Sequence, residues 1–385
     1  MEPIEDIGPE IQTGPFHGRQ SALGATFYED MGWLWTRSFG DPVPEYWAVR
    51  RDAGLWDVSA LVKWRFTGPD TLAALDRMTT RKIIALAPGT VRYGMVLNED
   101  GLMLDEGTTL VVSPEEAFYF GNDEREPFEE HLRREIEGAD VQVENVTRRI
   151  PNIAVQGPRS FEVISSLCDA DVGALKWFRM IPEPISLAGV EGYLTRTGFT
   201  GELGYEFFLA DAGGAEKLWD AIVETGATPI GLDAIELLRM EAGLLIQEED
   251  YQPGETDPYE LNLDGYIELE THDFVGRTAA AVSALNPAMR FVTLQLEGDR
   301  APEPGTRVTK GGSDVGEVRS AAVTPRFGAL ALAVLDASTA LDGGRVAVGG
   351  SEGVVRDVPI DDPTKLRPRS DPRSPVTIDA PGQTS

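Results

Sequence analysis

The chain has 385 residues, of which 42% are hydrophobic, and 64 acidic against 34 basic side chains give it a formal net charge of -30. This length predicts about two or three compact units, and the charge argues against nucleic acid as a partner. No run of apolar residues approaches the roughly 18 needed to cross a membrane, and the first twenty residues lack the pattern of a leader peptide. We therefore expect a globular, cytoplasmic protein with no membrane partner.

The basic side chains are mostly arginine, with only six lysines among them. An acidic surface that is poor in lysine is typical of proteins adapted to high salt, where carboxylates hold water and screening limits self-repulsion. This is a hypothesis about habitat, and it fails if the purified protein is most stable in low salt. The single cysteine, Cys168, has no basic neighbour in "SSLCDADVG" and is interpreted as a structural thiol.

Short strands and helices alternate irregularly along the first 285 residues, which is typical of an α+β protein. The predicted strands include "VKWRFTG", "GYLTRTG" and "GYEFFLA", and the predicted helices include "DTLAALDRMTT", "PFEEHLRREIEG", "SFEVISSL" and "GAEKLWDAIVETG". From about Arg290 the pattern changes to strands alone, separated by Gly and Asp turns. This predicts a small C-terminal β-barrel or sandwich.

The stretch "VRYGMVLNEDGLMLDEGTTLVV" predicts a β-hairpin around Asp100-Gly101. Asp105 is an acid within an otherwise apolar strand, and counting from the turn places it opposite Met95 or Gly94, with Tyr93 as a near neighbour. Its position is compatible either with a functional carboxylate or with the solvent-facing side of a half-exposed hairpin.

Two further stretches carry candidate polar residues. In "RTGFTGELGYEFFL" three glycines lead into a strand in which Glu206 is the only acid, while Glu202 lies in the preceding turn. Glu206 needs a hydrogen-bonding partner if it is buried, and an ordinary salt bridge is the simpler interpretation. In the helix "GLDAIELLRMEAGLLI", Arg239 borders the apolar stripe, so it pairs either inward with an anion or locally with Glu236.

Other motifs carry no chemistry. His17, His131 and His272 are far apart and predict no metal site. The glycine-rich "GGSDVG" at 311–316 lies between two strands with no helix after it, which predicts a hairpin turn and not a nucleotide loop.

Seven stretches resemble, in order, the folate-dependent aminomethyltransferase family, which comprises the glycine-cleavage T-protein and related tetrahydrofolate-dependent demethylases such as dimethylsulfoniopropionate demethylase. They are "AVRRDAGLWDVS", "YGMVLNEDGLMLDE", "IAVQGPRSFEVISSL", "RTGFTGELGYE", "PIGLDAIELLRMEAGLL", "HDFVGRTA" and "GEVRSAAVTPRFGALALAVL". The resemblance implies a cloverleaf of two interleaved α+β units and a C-terminal antiparallel β-barrel around a central cavity. The expected divisions are a flexible segment 1–24, a folate-binding region 25–285, a barrel 286–367 and a disordered tail 368–385.

The resemblance also implies the site residues. Asp105 falls on the family's catalytic aspartate, and Asn122 resembles an asparagine near the substrate. Positions that resemble tetrahydrofolate-binding residues are Tyr93, Trp177, Phe199, Glu206 and Arg239, and Tyr93 is expected to contact the substrate as well. A carboxylate such as Glu206 can accept the adjacent N–H and amino hydrogens of the pterin together, while Asp105 can stabilise the positive charge of a cationic donor.

Three positions depart from the usual T-protein pattern, namely Ala60 for His, Glu106 for Asp and Phe199 for Tyr. Together with "LKWFRM" and "DPYELNLDGYIEL", which are similar to the demethylase branch, they favour a demethylating methyltransferase over a glycine-cleavage subunit. The expected partners are a small methyl or aminomethyl donor and, for a true T-protein, a lipoyl carrier protein. A non-catalytic folate-binding protein of iron-sulfur assembly is the third alternative, but its cysteine motif is missing from "MEAGLLIQEED".

Overall fold

A computed structural model describes residues 11–122, 124–125 and 127–378. They form two compact units that interleave along the chain. The described part of the first unit consists of residues 11–61, 146–238 and 364–378, and the second unit contains residues 62–145 and 239–363 apart from the two gaps. The α+β class and the interleaving agree with the prediction.

The first unit is built on a six-stranded sheet that is antiparallel except at one edge. In spatial order its strands are Ile185–Leu187, Val190–Thr195, Gly204–Leu209, Asn152–Gln156, Gly54–Asp57 and Thr228–Pro229. A smaller sheet has the order Gln12–Thr13, Trp33–Ser38 and Thr26–Asp30.

The described helices of the first unit are His17–Ala22, Pro42–Arg51, Ser160–Ser166, Ala215–Glu224 and Leu366–Arg369, with a 3-10 turn at Val172–Ala174. In helix Ala215–Glu224, Leu218, Trp219 and Ile222 follow the helical period and are buried in the core of this unit. Helix Leu232–Ala242 contains the division between the two units.

The second unit contains a five-stranded antiparallel sheet and a closed barrel. The sheet has the order Val91–Leu97, Met103–Ser113, Glu116–Gly121, Val62–Thr67 and Gln142–Asn145. Around the barrel the order is Met289–Leu296, Gly328–Asp336, Ser313–Thr324, Arg307–Lys310, Arg345–Val348 and Ser351–Arg356. The predicted hairpin in the barrel is confirmed, since Lys310 pairs with Ser313 around two glycines with positive φ.

Three helices of the second unit, Thr71–Met78, Phe128–Glu135 and Arg277–Ser283, accompany these sheets within its described residues, with a 3-10 turn at Asp264–Tyr266. The barrel encloses its own apolar core, in which Leu294, Ala331 and Val355 are buried. The inward side chains are mainly Val, Leu and Ala, which fit the interior of a small barrel.

Near both chain ends, described residues contact the rest of the first unit. Residues 1–10 and 379–385 lie outside the described part. Phe16 is fully buried in the core of the first unit and the helix His17–Ala22 follows it. In the tail, Arg196 donates a hydrogen bond to the carbonyl oxygen of Pro368 at 2.9 Å, so the need of a buried arginine for acceptors orders this segment.

No helix in the described ranges is long and apolar enough to cross a membrane. The predicted division into a flexible segment 1–24, a folate-binding region 25–285, a barrel 286–367 and a disordered tail 368–385 stays a prediction.

Candidate active site

Asp105 lies in the five-stranded sheet of the second unit. Its partner in the neighbouring strand is Val96, so the predicted pairing with Met95 or Gly94 is wrong. A bulge next to this pair shifts the register, and the sequence pattern does not reveal where such an extra residue is inserted.

The carboxyl group of Asp105 is fully buried and held by donors on two strands. Its Oδ1 accepts hydrogen bonds from the backbone N–H of Glu106 at 2.9 Å, from the backbone N–H of Asn122 at 3.1 Å and from Nδ2 of Asn122 at 3.0 Å. Its Oδ2 accepts one from the hydroxyl of Tyr119 at 3.2 Å. With 0% of Asp105 exposed, the solvent-facing alternative is excluded.

Burial raises the pKa of Asp105 to about 8, against the lowering effect of the hydrogen bonds from Asn122, and the charge of Glu106 raises it further. Burial likewise raises the pKa of Glu106 to about 6, although hydrogen bonds from Tyr93 and Asn122 oppose the rise. Two adjacent carboxyl groups that interact in this way titrate as a pair. This pair therefore exchanges protons around neutral pH.

Three tyrosines surround the two acids. Tyr119 contacts Asp105, Tyr93 hydrogen-bonds Glu106, and the hydroxyl of Tyr251 lies 3.4 Å from Nδ2 of Asn122. Burial raises the pKa of each phenol above its ordinary value, and the charges of the carboxyl groups add to the rise. The phenols therefore stay protonated and can donate hydrogen bonds.

Tyr93 reaches the site by a different route from the one predicted. In the strand ladder its partner is Thr108, three residues beyond Asp105. The link between Tyr93 and the catalytic candidate is therefore the side chain of Glu106, which accepts the hydrogen bond from Tyr93.

Tyr119 and Asp105 occupy space that is free only because two neighbouring residues, Gly107 and Gly121, have no side chain. A Cβ atom on Gly121 would collide with Oδ2 of Asp105 and lie 2.7 Å from the ring of Tyr119. A Cβ atom on Gly107 would lie 2.9 Å from the hydroxyl of Tyr119. Any larger residue at these positions must displace the carboxyl group or the phenol.

Within the described residues, neither Asp105 nor Glu106 forms an ion pair with an arginine, lysine or histidine. A buried carboxylate without a cation is costly, which is why the pKa of Asp105 rises. Bringing a cationic group next to it would favour the ionised form and stabilise that cation in turn. The chemistry that this arrangement supports is electrostatic stabilisation of positive charge.

Arg239 is fully buried and binds acids of its own chain. It pairs with Asp250 at 2.6 Å and with Glu249 at 2.8 Å. Asp250 also accepts hydrogen bonds from the backbone N–H of Ile246 and from the hydroxyl of Ser320 in the barrel. Because Tyr251 follows Asp250 directly, this network fixes the segment that brings Tyr251 to Asn122.

Glu206 lies in the first unit and is half-buried. Its strand Gly204–Leu209 pairs with strands on both sides, and the hydroxyl of Thr197 donates a hydrogen bond to Oε2 of Glu206 at 2.5 Å. The neighbouring acid Glu202 is instead buried between Arg50 at 2.7 Å and Arg367 at 2.9 Å. Glu202 therefore forms salt bridges with two arginines, and the salt bridge weighed for Glu206 stays a prediction.

Trp177 and Phe199 also belong to the first unit, and both are half-buried. The ring of Trp177 lies edge-on to Phe178 at 4.7 Å and carries the guanidinium of Arg369 at 4.5 Å from its centroid. Phe199 lies in the turn between two strands of the large sheet.

The structure thus joins Asp105, Asn122 and Tyr93 through Glu106 in the second unit, which also holds Arg239. Glu206, Trp177 and Phe199 are described separately in the first unit. Sequence reasoning missed Tyr119, Tyr251 and Asp250. Tyr119 could have been found, because it precedes "FGND" in the strand that ends one residue before Asn122. No periodic pattern marks Tyr251.

Comparisons with known proteins agree with this architecture. Residues 16–271 match the GCVT N-terminal domain, and residues 290–360 match the glycine cleavage T-protein C-terminal barrel domain. The crystal structure of glycine cleavage system aminomethyltransferase T from Bartonella henselae has the same fold, with a TM-score of 0.83 over 91% of this chain and 98% of that one at 23% identity.

Two curated relatives are similar in sequence. An aminomethyltransferase from Streptomyces avermitilis is 35% identical over 84% of this chain and 88% of its own length. A trimethylamine-oxide aldolase from Ruegeria pomeroyi is 33% identical over 96% of this chain and 49% of its own length. The chain therefore belongs to the glycine cleavage T-protein family of tetrahydrofolate-dependent transferases.

Proposed function

We propose that the chain is an aminomethyltransferase that moves a one-carbon unit from a small cationic donor to N5 of tetrahydrofolate. The observation that carries the proposal is Asp105, a fully buried carboxyl group without a cationic partner among the described residues. A site that leaves a carboxylate in this state gains most from a ligand that brings the missing positive charge.

When bound, tetrahydrofolate supplies the nucleophilic nitrogen that receives the carbon. Asp105 stabilises the positive charge on the donor, and this stabilisation is strong because the carboxyl group is shielded from water. Asn122 and Tyr119 hold its two oxygens in fixed directions, so little reorganisation is needed during the reaction. Glu106 and Tyr93 form a second hydrogen-bonding edge for the donor.

The first unit offers side chains that fit the folate. Glu206 presents a carboxylate that accepts paired N–H groups, and Thr197 fixes one of its oxygens. Trp177 and Phe199 supply aromatic faces for the aminobenzoate ring. Arg239 is assigned a positioning role, because Asp250 and Glu249 already match its charge.

Two observations favour aminomethyl transfer over the demethylation expected from the sequence. The similar relatives include proteins named aminomethyltransferase. In addition, Glu106, which departs from the usual Asp, still places a carboxyl group beside Asp105 and Asn122. A lipoyl carrier protein is then the proposed source of the donor.

Demethylation of a methylated amine or sulfonium compound is the second candidate. It is favoured by Ala60, Phe199 and the similarity of "LKWFRM" to the demethylase branch. The name of the relative trimethylamine-oxide aldolase refers to a compound with methyl groups on nitrogen. This chain covers about half of that protein.

The two candidates are separated by their products. The protein is incubated with tetrahydrofolate and either an aminomethyl-loaded lipoyl carrier or a panel of methylated amines and sulfonium compounds, and the folate is identified by mass. We expect 5,10-methylenetetrahydrofolate to form when the loaded carrier is the donor, and no folate product to form from the methylated compounds. Formation of 5-methyltetrahydrofolate from a methylated donor supports the second candidate, and no product from any donor contradicts both. Asp105→Asn is the matched inactive control, and Glu206→Gln is expected to weaken tetrahydrofolate binding.

A further inference from the structure

The side-chain amide of Asn122 holds the two acids by its nitrogen end. Its Nδ2 donates hydrogen bonds to Oδ1 of Asp105 at 3.0 Å and to the carbonyl oxygen of Glu106 at 2.8 Å. An amide turned by 180° would bring its oxygen against Oδ1 of Asp105 instead. That contact is repulsive when Asp105 is ionised and favourable when Asp105 is protonated. The orientation of the amide is therefore coupled to the charge of Asp105.

Tyr251 meets this amide, and Gln247 orients the hydroxyl of Tyr251. The hydroxyl oxygen lies 3.4 Å from Nδ2 of Asn122, and the hydroxyl donates its hydrogen to Oε1 of Gln247 at 3.2 Å. Only 1% of Tyr251 and 8% of Gln247 are exposed, so water does not compete for these contacts. Because the hydrogen is directed to Gln247, the hydroxyl oxygen presents a lone pair to Asn122. A lone pair at this place favours the nitrogen end of the amide over its oxygen end.

The backbone holds Gln247 and Tyr251 next to each other in a closed loop. The N–H of Glu248 donates to the carbonyl oxygen of Tyr251 at 2.9 Å. Glu248 has a φ of 67°, which a residue other than glycine adopts only where its surroundings impose it. Its side chain pairs with Arg125 at 2.6 Å, three residues after Asn122. The loop is therefore attached to the segment that carries the amide.

We infer that Gln247 and Tyr251 are positioning residues, which act in series to keep the nitrogen end of the Asn122 amide turned toward the two acids. Gln247 orients the Tyr251 hydroxyl, and this hydroxyl orients the amide. The pair thereby stabilises the ionised carboxylate of Asp105 over its protonated form. The effect on turnover rests on the proposed function, in which the ionised carboxylate stabilises the cationic donor, whereas the effect on the carboxyl group itself does not.

Loss of either side chain should favour the protonated form of Asp105. Without the acceptor on Gln247, the hydroxyl of Tyr251 can turn its hydrogen toward Asn122, and the amide can turn its oxygen to accept it. A turned amide no longer donates to Asp105. This hydrogen bond from Asn122 lowers the pKa of Asp105 against the effect of burial. The pKa of Asp105 should therefore rise further when the hydrogen bond is lost.

The test measures the pKa of Asp105 in ligand-free protein, in Gln247→Met, in Tyr251→Phe and in the double variant. Carbon-13 NMR of labelled aspartate carboxyl groups follows the titration, and Asp105→Asn assigns the signal. We expect each single variant to raise the pKa of Asp105 by about 0.5 to 1 pH unit, the equivalent of losing one hydrogen bond. The double variant should raise it no further than Tyr251→Phe does, because residues that act in series are not additive.

Tyr259→Phe is the matched control. Tyr259 is a second tyrosine of the same unit, with 3% of its surface exposed, and its buried hydroxyl has no hydrogen-bond partner in the part of the chain that is described. The control therefore removes a buried phenol hydroxyl without removing a contact to Asn122. It should leave the pKa of Asp105 unchanged.

Kinetics extend the test to turnover, with tetrahydrofolate and the donor that the wild type uses. At pH 7 each single variant should lower kcat about threefold to tenfold, with an unchanged KM for tetrahydrofolate. The deficit should shrink as the pH rises toward 10, because Asp105 then becomes ionised in the variants as well. A general loss of structure would instead lower kcat at every pH.

An unchanged pKa of Asp105 in both single variants overturns the inference. A shift in the double variant that equals the sum of the two single shifts also overturns it, as does an equal shift in Tyr259→Phe. If the wild type forms no folate product from any donor, the proposed function fails, while the titration of the ligand-free protein still decides the inference.

Discussion

Asn122 donates two hydrogen bonds to a single oxygen of Asp105, one from its backbone and one from its side chain. The same side-chain nitrogen lies 2.8 Å from the carbonyl oxygen of Glu106. Asn122 follows the last residue of strand Glu116–Gly121. The end of this strand therefore orients the two acids of the neighbouring strand in the sheet, Met103–Ser113.

Asp105→Asn should lower kcat about 10²-fold to 10³-fold, because the variant cannot carry the charge that stabilises the cationic donor. The fold should persist, since an amide oxygen can accept the bonds at Oδ1 and the amide N–H₂ can donate to Tyr119. Steady-state kinetics and a tetrahydrofolate binding titration measure the two effects. Turnover near the wild-type level would contradict the catalytic role of Asp105.

The stability of the wild type should fall as the pH rises from about 4 to about 8. The pKa of Asp105 is raised to about 8 in the folded protein from an ordinary value of 3.8, so between these values the folded state binds a proton that the unfolded state releases. Glu106 contributes in the same direction up to about pH 6. In Asp105→Asn the decline should be shallower, as urea unfolding at pH 5, 7 and 9 would measure. An equally steep decline in the variant would refute this origin.

Gly121→Ala should reduce turnover strongly, since the added methyl group must displace Oδ2 of Asp105 or the ring of Tyr119. The matched control is Gly265→Ala, whose Cβ atom meets no atom within 4 Å. Kinetics and circular dichroism of both variants separate loss of geometry from loss of fold. If Gly121→Ala keeps full activity, the position of the carboxyl group is not important for turnover.

Asp250→Asn should lower the free energy of unfolding by about 3 kcal/mol, because it leaves the buried guanidinium of Arg239 without its closest charge. Glu249→Gln removes the other acid of the same arginine. Its side chain is 51% exposed, so the expected loss is under about 1 kcal/mol. Urea unfolding of the two variants provides the comparison, and equal losses would show that burial does not decide the strength of these pairs.

The sequence predicted those features of the fold that depend on periodic patterns. The helix Ala215–Glu224 and the barrel strands follow from regular spacing of apolar residues. The partner of Asp105 could not be predicted, because a bulge changes the register without changing the pattern. The contact of the tail with the first unit could not be predicted either, because the carbonyl of Pro368 is an acceptor for a residue 172 positions away.

One residue of the candidate site could be picked out in the same way. An acid in an apolar strand identified Asp105 as a candidate. Its environment was not predictable, because Tyr251 and Asp250 lie in irregular structure far along the chain, and only tertiary contacts bring them to Asn122 and Arg239.

The first unit includes residues 364–378, and this has a consequence for biosynthesis. During translation the ribosome releases every residue of the second unit before the segment that carries Arg367 and Arg369. The ionic cluster of Arg50, Glu202 and Arg367 therefore cannot form completely until Arg367 has been synthesised. The first unit therefore lacks one arginine of this cluster until every residue of the second unit has been synthesised.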